Sequence, residues 1–222
     1  MSQTLALIHT APVLIPTFQG LCREILDGVE VFNIVDESLL KNTIRDGDMT
    51  ALTVQRLVGY VQSAKQAGAD AVMVTCSSIG PGVEAARAVV DVPVLRIDEA
   101  MADQAVTTSS RIGVAATLNS TLKPTAELLN ARAARARQSC EIVSRLCEGA
   151  FEAVSSGDAA THDRIVSENL VSLMDDVDAI VLAQASMARV VELIPADNRR
   201  VPILSSPRLA VEQAAGVLEQ LR

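Results

Sequence analysis

Aromatic side chains are scarce in this chain. They make up 2% of the 222 residues, with no tryptophan, one tyrosine and three phenylalanines. The hydrophobic fraction is nevertheless 49% and the charged fraction 21%, a balance typical of globular proteins. A buried core must therefore consist of valine, leucine, isoleucine and alanine. The length fits one large domain or two small ones.

Residues that bind metals or form disulfides are also few. The four cysteines, at positions 22, 76, 140 and 147, show neither the density nor the close pairing of a disulfide framework or a zinc site. The only two histidines are His9 and His162, which argues against a histidine-rich metal site. We expect no metal, reduced thiols and a cytoplasmic protein, because the first residues lack a basic signal region and no apolar run reaches transmembrane length.

Positive charge is in deficit. The sequence has 19 Lys and Arg residues against 27 Asp and Glu residues, for a net charge of −8. This balance argues against nucleic acid or an anionic membrane surface as a partner. It does not exclude a small acidic ligand, because a local pocket can be electropositive in an acidic protein.

One stretch, Asp70–Gly80, has the features of a functional strand end. An apolar run of four residues leads into Thr-Cys-Ser-Ser, and Gly-Pro-Gly follows shortly after. This pattern predicts a buried parallel strand that ends in a polar turn carrying Cys76. Ligands of open α/β sheets bind beyond the carboxyl ends of the strands. Cys76 is therefore the first candidate for a functional residue.

Apolar runs alternate with helical patterns along the whole chain. This alternation predicts an α/β protein with parallel sheets and right-handed crossovers. The expected strands are 5–8, 29–35, 71–74, 93–97, 111–116, 141–146, 178–183 and 201–204.

The second half of the chain repeats the first. The segment 70–78 aligns with 178–186, and 92–95 aligns with 201–204. A repeat of this length predicts two similar, pseudo-twofold-related lobes, each a four-stranded mainly parallel sheet flanked by helices. We expect an active-site cleft between the two lobes.

The duplication and the motif Val-Thr-Cys-Ser-Ser at 74–78 resemble the aspartate/glutamate/hydantoin racemase superfamily over essentially the whole chain. The resemblance implies a first lobe of residues 1–100 with 206–222 and a second lobe of 101–205, because the family's final helix returns to the first lobe. It also implies an enzyme without cofactor or metal, and it is compatible with a homodimer or larger homo-oligomer. In two-cysteine members, one thiol removes a proton from one face of the substrate's α-carbon, and the other thiol returns a proton to the opposite face.

Gln184 stands where the resemblance places the second catalytic cysteine. A carboxamide has no useful acid or base pKa, so the symmetric two-thiol mechanism does not carry over. Arylmalonate decarboxylases are single-cysteine relatives, but they hold their cysteine on the second lobe. This chain keeps the first-lobe cysteine, so the resemblance does not fix the reaction.

Carbanion chemistry beside a carboxylate needs a base and a group that stabilises an enediolate-like charge. A thiolate serves as base or nucleophile when its pKa falls towards neutrality, and we expect the amides of the turn after Cys76 to lower it. Ser77, Ser78, Thr117 and Ser186 follow predicted strands, so they are candidates to bind a carboxylate. The competing interpretations are helix caps or turn formers for these four residues, and a small buried hydrophobic residue for Cys76.

Three further residues at predicted strand ends are candidates. His9 is the proton donor that replaces the second thiol, a group that orients the ligand, or a residue that only caps its own loop. In the pair Asp36 and Glu37, one carboxylate is expected to reach the site and the other to be solvated. Gln184 is expected to form a hydrogen bond with the substrate.

The sequence also predicts the places of five further residues. Of Asp98 and Glu99, one carboxylate is expected at the site and the other in solvent, with Asp98 alternatively anchoring backbone. His162 follows a helix start and is expected at the surface. Cys22 is expected to be structural, and Cys147 a buried, inert thiol.

Two classes of function remain. The first is an isomerase or racemase that acts at the carbon α to the carboxylate of a small polar substrate, with proton return by His9 or water. A decarboxylase or lyase is close to it, since such reactions need only one acid. The second class is a small-acid binding protein that lost catalysis with the second cysteine.

Overall fold

The computed structural model describes residues 2–222. The chain divides into two compact units. Unit 1 contains the chain up to Glu99 together with Pro207–Arg222, and unit 2 contains Ala100–Ser206. Unit 1 is therefore discontinuous in sequence, whereas unit 2 is one contiguous segment.

Each unit contains a four-stranded parallel sheet, with the order β2-β1-β3-β4 in unit 1 and β6-β5-β7-β8 in unit 2. This architecture confirms the predicted α/β class. The strands are β1 (Gln3–His9), β2 (Val29–Val35), β3 (Ala71–Val74), β4 (Val94–Arg96), β5 (Arg111–Ala116), β6 (Glu141–Leu146), β7 (Ala179–Leu182) and β8 (Ile203–Ser205).

Helices supply the crossovers that parallel neighbours require. They are α1 (Ile15–Ile25), α2 (Glu37–Asp46), α3 (Ala51–Gln66), α4 (Val83–Arg87), α5 (Glu99–Thr108), α6 (Asn119–Ala136), α7 (Ala150–Ser155), α8 (Ala159–Leu173), α9 (Ala188–Leu193) and α10 (Ser206–Gln220). Short 3₁₀ segments occur at Pro12–Leu14, Ser77–Gly82, Ala185–Met187 and Ala196–Asn198. The segments 77–82 and 185–187 follow the interior strands β3 and β7.

Local sequence signals explain the ends of α3. Thr50 precedes the helix, and its Oγ1 accepts a hydrogen bond from the backbone N–H of Thr53 at 3.3 Å. A threonine at this position satisfies one of the free amides of the first turn. Gly68 follows the last turn with φ +94°, a conformation that favours glycine. The two residues therefore account for the start and the end of α3.

The core of unit 1 is aliphatic, as the shortage of aromatic residues requires. β3 is buried along its whole length, and Leu5–Ile8 of β1 have no exposed surface. Helix α3 contributes Leu57, Val61 and Ala64 to the same cluster. Full burial of one such large aliphatic side chain stabilises the fold by about 1.5–3 kcal/mol.

Unit 2 repeats this arrangement with its own core. β7 is fully buried, and the side chains of Leu170 and Leu173 on α8 pack in the cluster that contains Ile180 and Leu182. Gly113 in β5 allows close approach of α8, because a Cβ there would lie 2.8 Å from Leu173 Cδ2.

The predicted strand bounds agree with the observed ones to within two residues. The largest shifts are two residues: the first strand starts at Gln3 rather than at Leu5, and the last strand starts at Ile203 rather than at Val201. Pro202 lacks the N–H that a strand interior needs, although its carbonyl accepts a bond from Ile180 N. Within residues 2–222, no helix has both the length and the apolar character that a membrane crossing requires.

Candidate active site

Cys76 lies at the carboxyl end of an interior strand of unit 1. Strand β3 ends at Val74, and the 3₁₀ segment Ser77–Gly82 begins directly after Cys76, which caps it. The residue is half-buried, and one side of it packs against the aliphatic core of unit 1. The local fold is therefore the strand-to-turn transition that the sequence predicted.

Hydrogen-bond donors surround the Cys76 sulfur. They are the hydroxyls of Thr10 and Ser78 and the backbone N–H groups of Ser78 and Ile79. Each of these donors favours the thiolate, but burial of the sulfur outweighs them, and the pKa of Cys76 lies above its ordinary value. The expectation that the turn lowers this pKa is therefore wrong in net direction, because desolvation of the charged form dominates.

Ser77 and Ser78 are nearly fully buried in the turn after Cys76, with 6% and 2% of their surface exposed. The side chain of Arg96 in β4 packs against this turn at Gly80. A Cβ on Gly80 would lie 2.6 Å from the Arg96 guanidinium carbon, so only glycine fits this position without displacing the side chain.

The carboxylates that follow β4 are engaged in buried ion pairs. Asp98 receives hydrogen bonds from Nε and Nη2 of Arg96, both at 3.0 Å, and has no exposed surface. Glu99 is 3% exposed and pairs with Arg87 at 2.7 Å. Neither carboxylate is solvated, so the expectation that one of the two faces solvent is wrong.

His9 is fully buried at the end of β1. Its Nε2 lies 2.9 Å from Asn33 Oδ1, and its Nδ1 lies 2.8 Å from Thr75 Oγ1. The ring also meets Phe18 edge-to-face at a centroid distance of 5.5 Å. Burial lowers the pKa of His9, and the bond to Asn33 opposes this only in part. The bonds extend beyond its own loop and tie three parts of unit 1 together, so this placement argues against direct proton return by His9.

Asp36 is the N-cap of α2. Its carboxylate accepts hydrogen bonds from Ser38 N at 2.9 Å and from Tyr60 Oη at 2.7 Å, and it pairs with Arg56. Burial alone would raise the pKa of Asp36, but the hydrogen bonds from Ser38 and Tyr60 and the Arg56 charge hold it below its usual value. The Asp36 carboxylate, the buried one of the pair, is therefore already neutralised within unit 1. Its neighbour Glu37 is exposed.

Unit 2 brings two of the candidate residues into direct contact. The backbone N–H and the hydroxyl of Thr117 both donate to Gln184 Oε1, at 2.6 and 3.0 Å. The Gln184 Nε2 donates to Thr117 Oγ1 at 2.8 Å. Ser186 is exposed on the 3₁₀ segment Ala185–Met187 and has no such contact with this pair.

Two residues near Cys76 escaped the sequence reasoning. Thr10 follows the end of β1 and reaches the sulfur, and Arg96 packs under Gly80. Thr10 stands at a strand end, as the predicted site residues do, so its position in the sequence could have indicated it. No local pattern around Arg96 indicated a buried guanidinium.

The other three thiols have surroundings of their own. Burial raises the pKa of Cys22 and of Cys147 to about 11, as expected for inert thiols. Cys140 is half-buried and donates to backbone carbonyls of Val106 and Ser109. No group of three or more potential metal-binding side chains occurs in the part of the chain that the structure describes.

Comparison with known proteins identifies the family of this chain. The model of the Asp/Glu/hydantoin racemase family matches residues 17–214. Together with the repeated parallel sheets and the thiol at a strand end, this match defines a racemase-like isomerase. The chain belongs to the Asp/Glu/hydantoin racemase family. A search of curated protein sequences found no match.

Solved structures with the same fold include several racemases. Glutamate racemase RacE1 from Bacillus anthracis is similar at a TM-score of 0.77 with 18% identity, over 99% of this chain and 82% of that chain. Allantoin racemase from Klebsiella pneumoniae has a TM-score of 0.73 and 18% identity, over 99% and 89%. Aspartate racemase from Picrophilus torridus has a TM-score of 0.71 and 14% identity, over 96% and 94%. At these identities, the likeness establishes the fold.

Proposed function

We propose that this protein is a cofactor-independent isomerase that acts, through the single thiol of Cys76, at the carbon α to the carboxylate of a small polar acid. The observation that carries this proposal is the thiol at the end of β3, surrounded by hydroxyl and amide donors, in a chain of the racemase family. Donors aimed at a sulfur stabilise it once it becomes charged.

In the proposed reaction, the Cys76 thiolate takes the proton from the α-carbon and becomes a thiol. The electron pair left on carbon moves into the adjacent carboxylate to give an enediolate. The hydroxyls and amides of Ser77, Ser78, Thr117 and Ser186 are proposed to bind that carboxylate. Water returns a proton to the α-carbon, and the thiol loses its proton to regenerate the base. Because both ring nitrogens of His9 are engaged, we assign it a positioning role.

A decarboxylase or lyase is the second candidate. The specific observation in its favour is Gln184, whose carboxamide carries no proton to give or take at neutral pH. In that reaction, carbon dioxide leaves the α-carbon, and one acid delivers a proton in its place. A third candidate is an inactive small-acid binding protein, which the raised pKa of Cys76 also suits.

The names of the similar structures supply the first substrates to test. Glutamate, aspartate and allantoin, in both configurations, are incubated with the protein in deuterated water. Deuterium incorporation at the α-carbon without carbon dioxide release supports the isomerase. Substituted malonates are added to the same panel, and carbon dioxide release from any of them supports the decarboxylase.

Cys76→Ala is the decisive variant, and Cys140→Ala is its matched control, since Cys140 is another half-buried thiol. We expect Cys76→Ala to lose exchange by at least about a hundredfold, the scale of a lost general base, while Cys140→Ala keeps it. Full turnover by Cys76→Ala would refute both enzyme proposals. Binding of an acid without turnover of any compound would support the binding protein.

A cytoplasmic location and a homodimer or larger homo-oligomer also remain proposals. The net charge of −8 supports neither nucleic acid nor an anionic membrane as a partner. Light scattering at several protein concentrations tests the oligomeric state.

A further inference from the structure

The pair Gln184 and Thr117 forms a self-contained contact at the strand ends of unit 2. Thr117 directly follows β5, and Gln184 stands two residues beyond the end of β7. Thr117 is 7% exposed, and Gln184 is half-buried. Two donors of Thr117 converge on one oxygen of Gln184, at 2.6 and 3.0 Å. Because a backbone N–H can only donate, the oxygen rather than the nitrogen of the carboxamide must face it.

The two donors of Thr117 surround Gln184 Oε1 in the way that protein donors surround a bound ligand oxygen. An N–H and an O–H group converging on one acceptor is a common way to hold a carboxylate or carbonyl oxygen. In this chain the acceptor is supplied by Gln184, so the two donors of Thr117 are already satisfied. A ligand oxygen gains these bonds only when the carboxamide oxygen leaves.

The corresponding threonine of unit 1 makes a different contact. Ile8 of β1 pairs with Val74 of β3, and two residues beyond each stand Thr10 and Cys76. The hydroxyl of Thr10 forms a hydrogen bond with the Cys76 sulfur.

In unit 2, Ala115 of β5 pairs with Leu182 of β7, and two residues beyond each stand Thr117 and Gln184. The same scaffold therefore directs a threonine at a thiol in one unit and at a carboxamide oxygen in the other. The carboxamide also donates back to the threonine hydroxyl at 2.8 Å, which closes the pair in unit 2.

We propose that Gln184 is a specificity-determining residue that acts as an internal ligand: its carboxamide oxygen occupies the donors of Thr117, and a small carboxylate binds there only by displacing it. This inference rests on the proposed function, because it takes Thr117 as one of the groups that bind the substrate carboxylate. Gln184 then competes with the substrate oxygen for the donors of Thr117, rather than forming a simple hydrogen bond with the substrate.

The test measures how tightly acetate, a small carboxylate probe, binds to the protein at the donors of Thr117. The backbone amide signal of Thr117 is followed by ¹⁵N–¹H NMR during acetate titration of the full-length protein and of two variants. Gln184→Ala removes the competing oxygen, and we expect it to bind acetate about tenfold more tightly than wild type, as for one recovered hydrogen bond to a charged group. Gln184→Glu keeps the acceptor and adds negative charge, and we expect it to bind acetate more weakly than wild type.

The double variant Thr117→Val, Gln184→Ala is the control for the site. It lacks the hydroxyl but keeps the backbone N–H, so it should lose most of the tenfold gain. If Gln184→Ala binds acetate no better than wild type, or if no variant binds acetate up to about 200 mM, where the binding free energy is only about 1 kcal/mol, the proposal is wrong.

Wild-type protein provides a second test if Gln184→Ala fails to fold. The side-chain NH₂ signals of Gln184 must then move with the same acetate dependence as the Thr117 amide, because displacement and binding are one event. A Thr117 shift without a Gln184 shift contradicts the proposal. None of these readouts needs turnover, so full turnover by Cys76→Ala, which refutes the proposed function, and failure of the acetate test are separate outcomes.

Discussion

At the scale of single residues, the state of the Cys76 thiol depends on a balance between burial and hydrogen bonds. Burial raises its pKa, and the donors Thr10, Ser78 and Ile79 oppose that effect without overcoming it. At neutral pH the resting protein therefore holds mostly the neutral thiol. Any reaction that uses the thiolate should become faster as the pH rises through the alkaline range.

Thr10→Val tests this balance, because valine has a similar shape and no hydroxyl. The rate of alkylation by iodoacetamide, followed by mass spectrometry against pH, should show its midpoint at higher pH in Thr10→Val than in wild type. A lost hydrogen bond to a charged group costs about 1.5–3 kcal/mol, so at pH 8 we expect alkylation about tenfold slower or more. Thr10→Ser should restore the wild-type profile. An unchanged profile in a folded Thr10→Val protein would show that the hydroxyl does not support the thiolate.

A second residue-scale prediction concerns His9 and acid pH. Burial lowers the pKa of His9 below its ordinary value of 6.5, so the unfolded chain takes up a proton there more readily than the folded chain. The contribution to stability is complete above pH 6.5 and is lost as the pH falls from there towards the folded-state pKa. At pH 5.5 the loss is at most about 1.4 kcal/mol, one unit of pH.

Urea unfolding at pH 7.5 and 5.5 measures this effect. His9→Gln cannot titrate, so its free energy of unfolding should fall less between the two pH values than that of wild type. The other titrating groups are common to both proteins, which makes the difference specific for His9. An equal decrease in both proteins would contradict the prediction.

At the scale of elements, the turn after β3 depends on one glycine. Gly80 lies against the Arg96 guanidinium, which Asp98 holds in place with two hydrogen bonds. The added methyl group of Gly80→Ala must displace a buried, paired side chain, and overpacking of this kind costs about 1–3 kcal/mol. Chemical unfolding should show this decrease.

Gly59→Ala is the matched control within helix α3. A Cβ there meets nothing within 4 Å. Alanine in a helix interior is favoured over glycine by about 0.5–1 kcal/mol, so this variant should be slightly more stable than wild type. Two glycine-to-alanine changes should therefore shift stability in opposite directions, and a gain from Gly80→Ala would rule out the described packing.

The elements were the part of the fold most readily predicted from sequence. Strands such as β3 and β7 are short apolar runs bounded by turn residues, so the local sequence is enough to predict them. The contacts of polar side chains were not predictable in this way. His162, expected at the surface, is 2% exposed, and its Nδ1 lies 2.7 Å from Asp163 Oδ1.

The candidate site shows the same division. The position of Cys76 after β3 followed from the local sequence pattern. The correspondence of Gln184 with Cys76 followed from the sequence repeat. The contact of Gln184 with Thr117 joins residues far apart in sequence, and only the pairing of β5 with β7 brings them together. The raised pKa of Cys76 likewise depends on core residues that pack around the sulfur from other elements.

At the scale of the whole molecule, the two units differ in chain continuity. Unit 2 is one segment, Ala100–Ser206, with a complete sheet and its own core. Unit 1 needs α10, whose Ala210, Val211 and Ala214 are fully buried and whose Leu218 carbonyl accepts a bond from Gln3.

We therefore predict that residues 100–206 expressed alone unfold cooperatively in urea, whereas residues 1–99 alone do not. A chain in which residues 1–99 are joined by a flexible linker to 207–222 should regain cooperative unfolding. Circular dichroism across a urea titration measures all three. Cooperative unfolding of residues 1–99 without α10 would contradict the prediction.

The late position of α10 also has a consequence during synthesis on the ribosome. The first sheet is complete in sequence by Arg96, but the last helix of unit 1 emerges only after all of unit 2. At about 5–20 residues per second, this delay is on the order of 5–20 s. During that time unit 1 is still without a helix that the structure assigns to it, which makes the interval a natural point of engagement for chaperones.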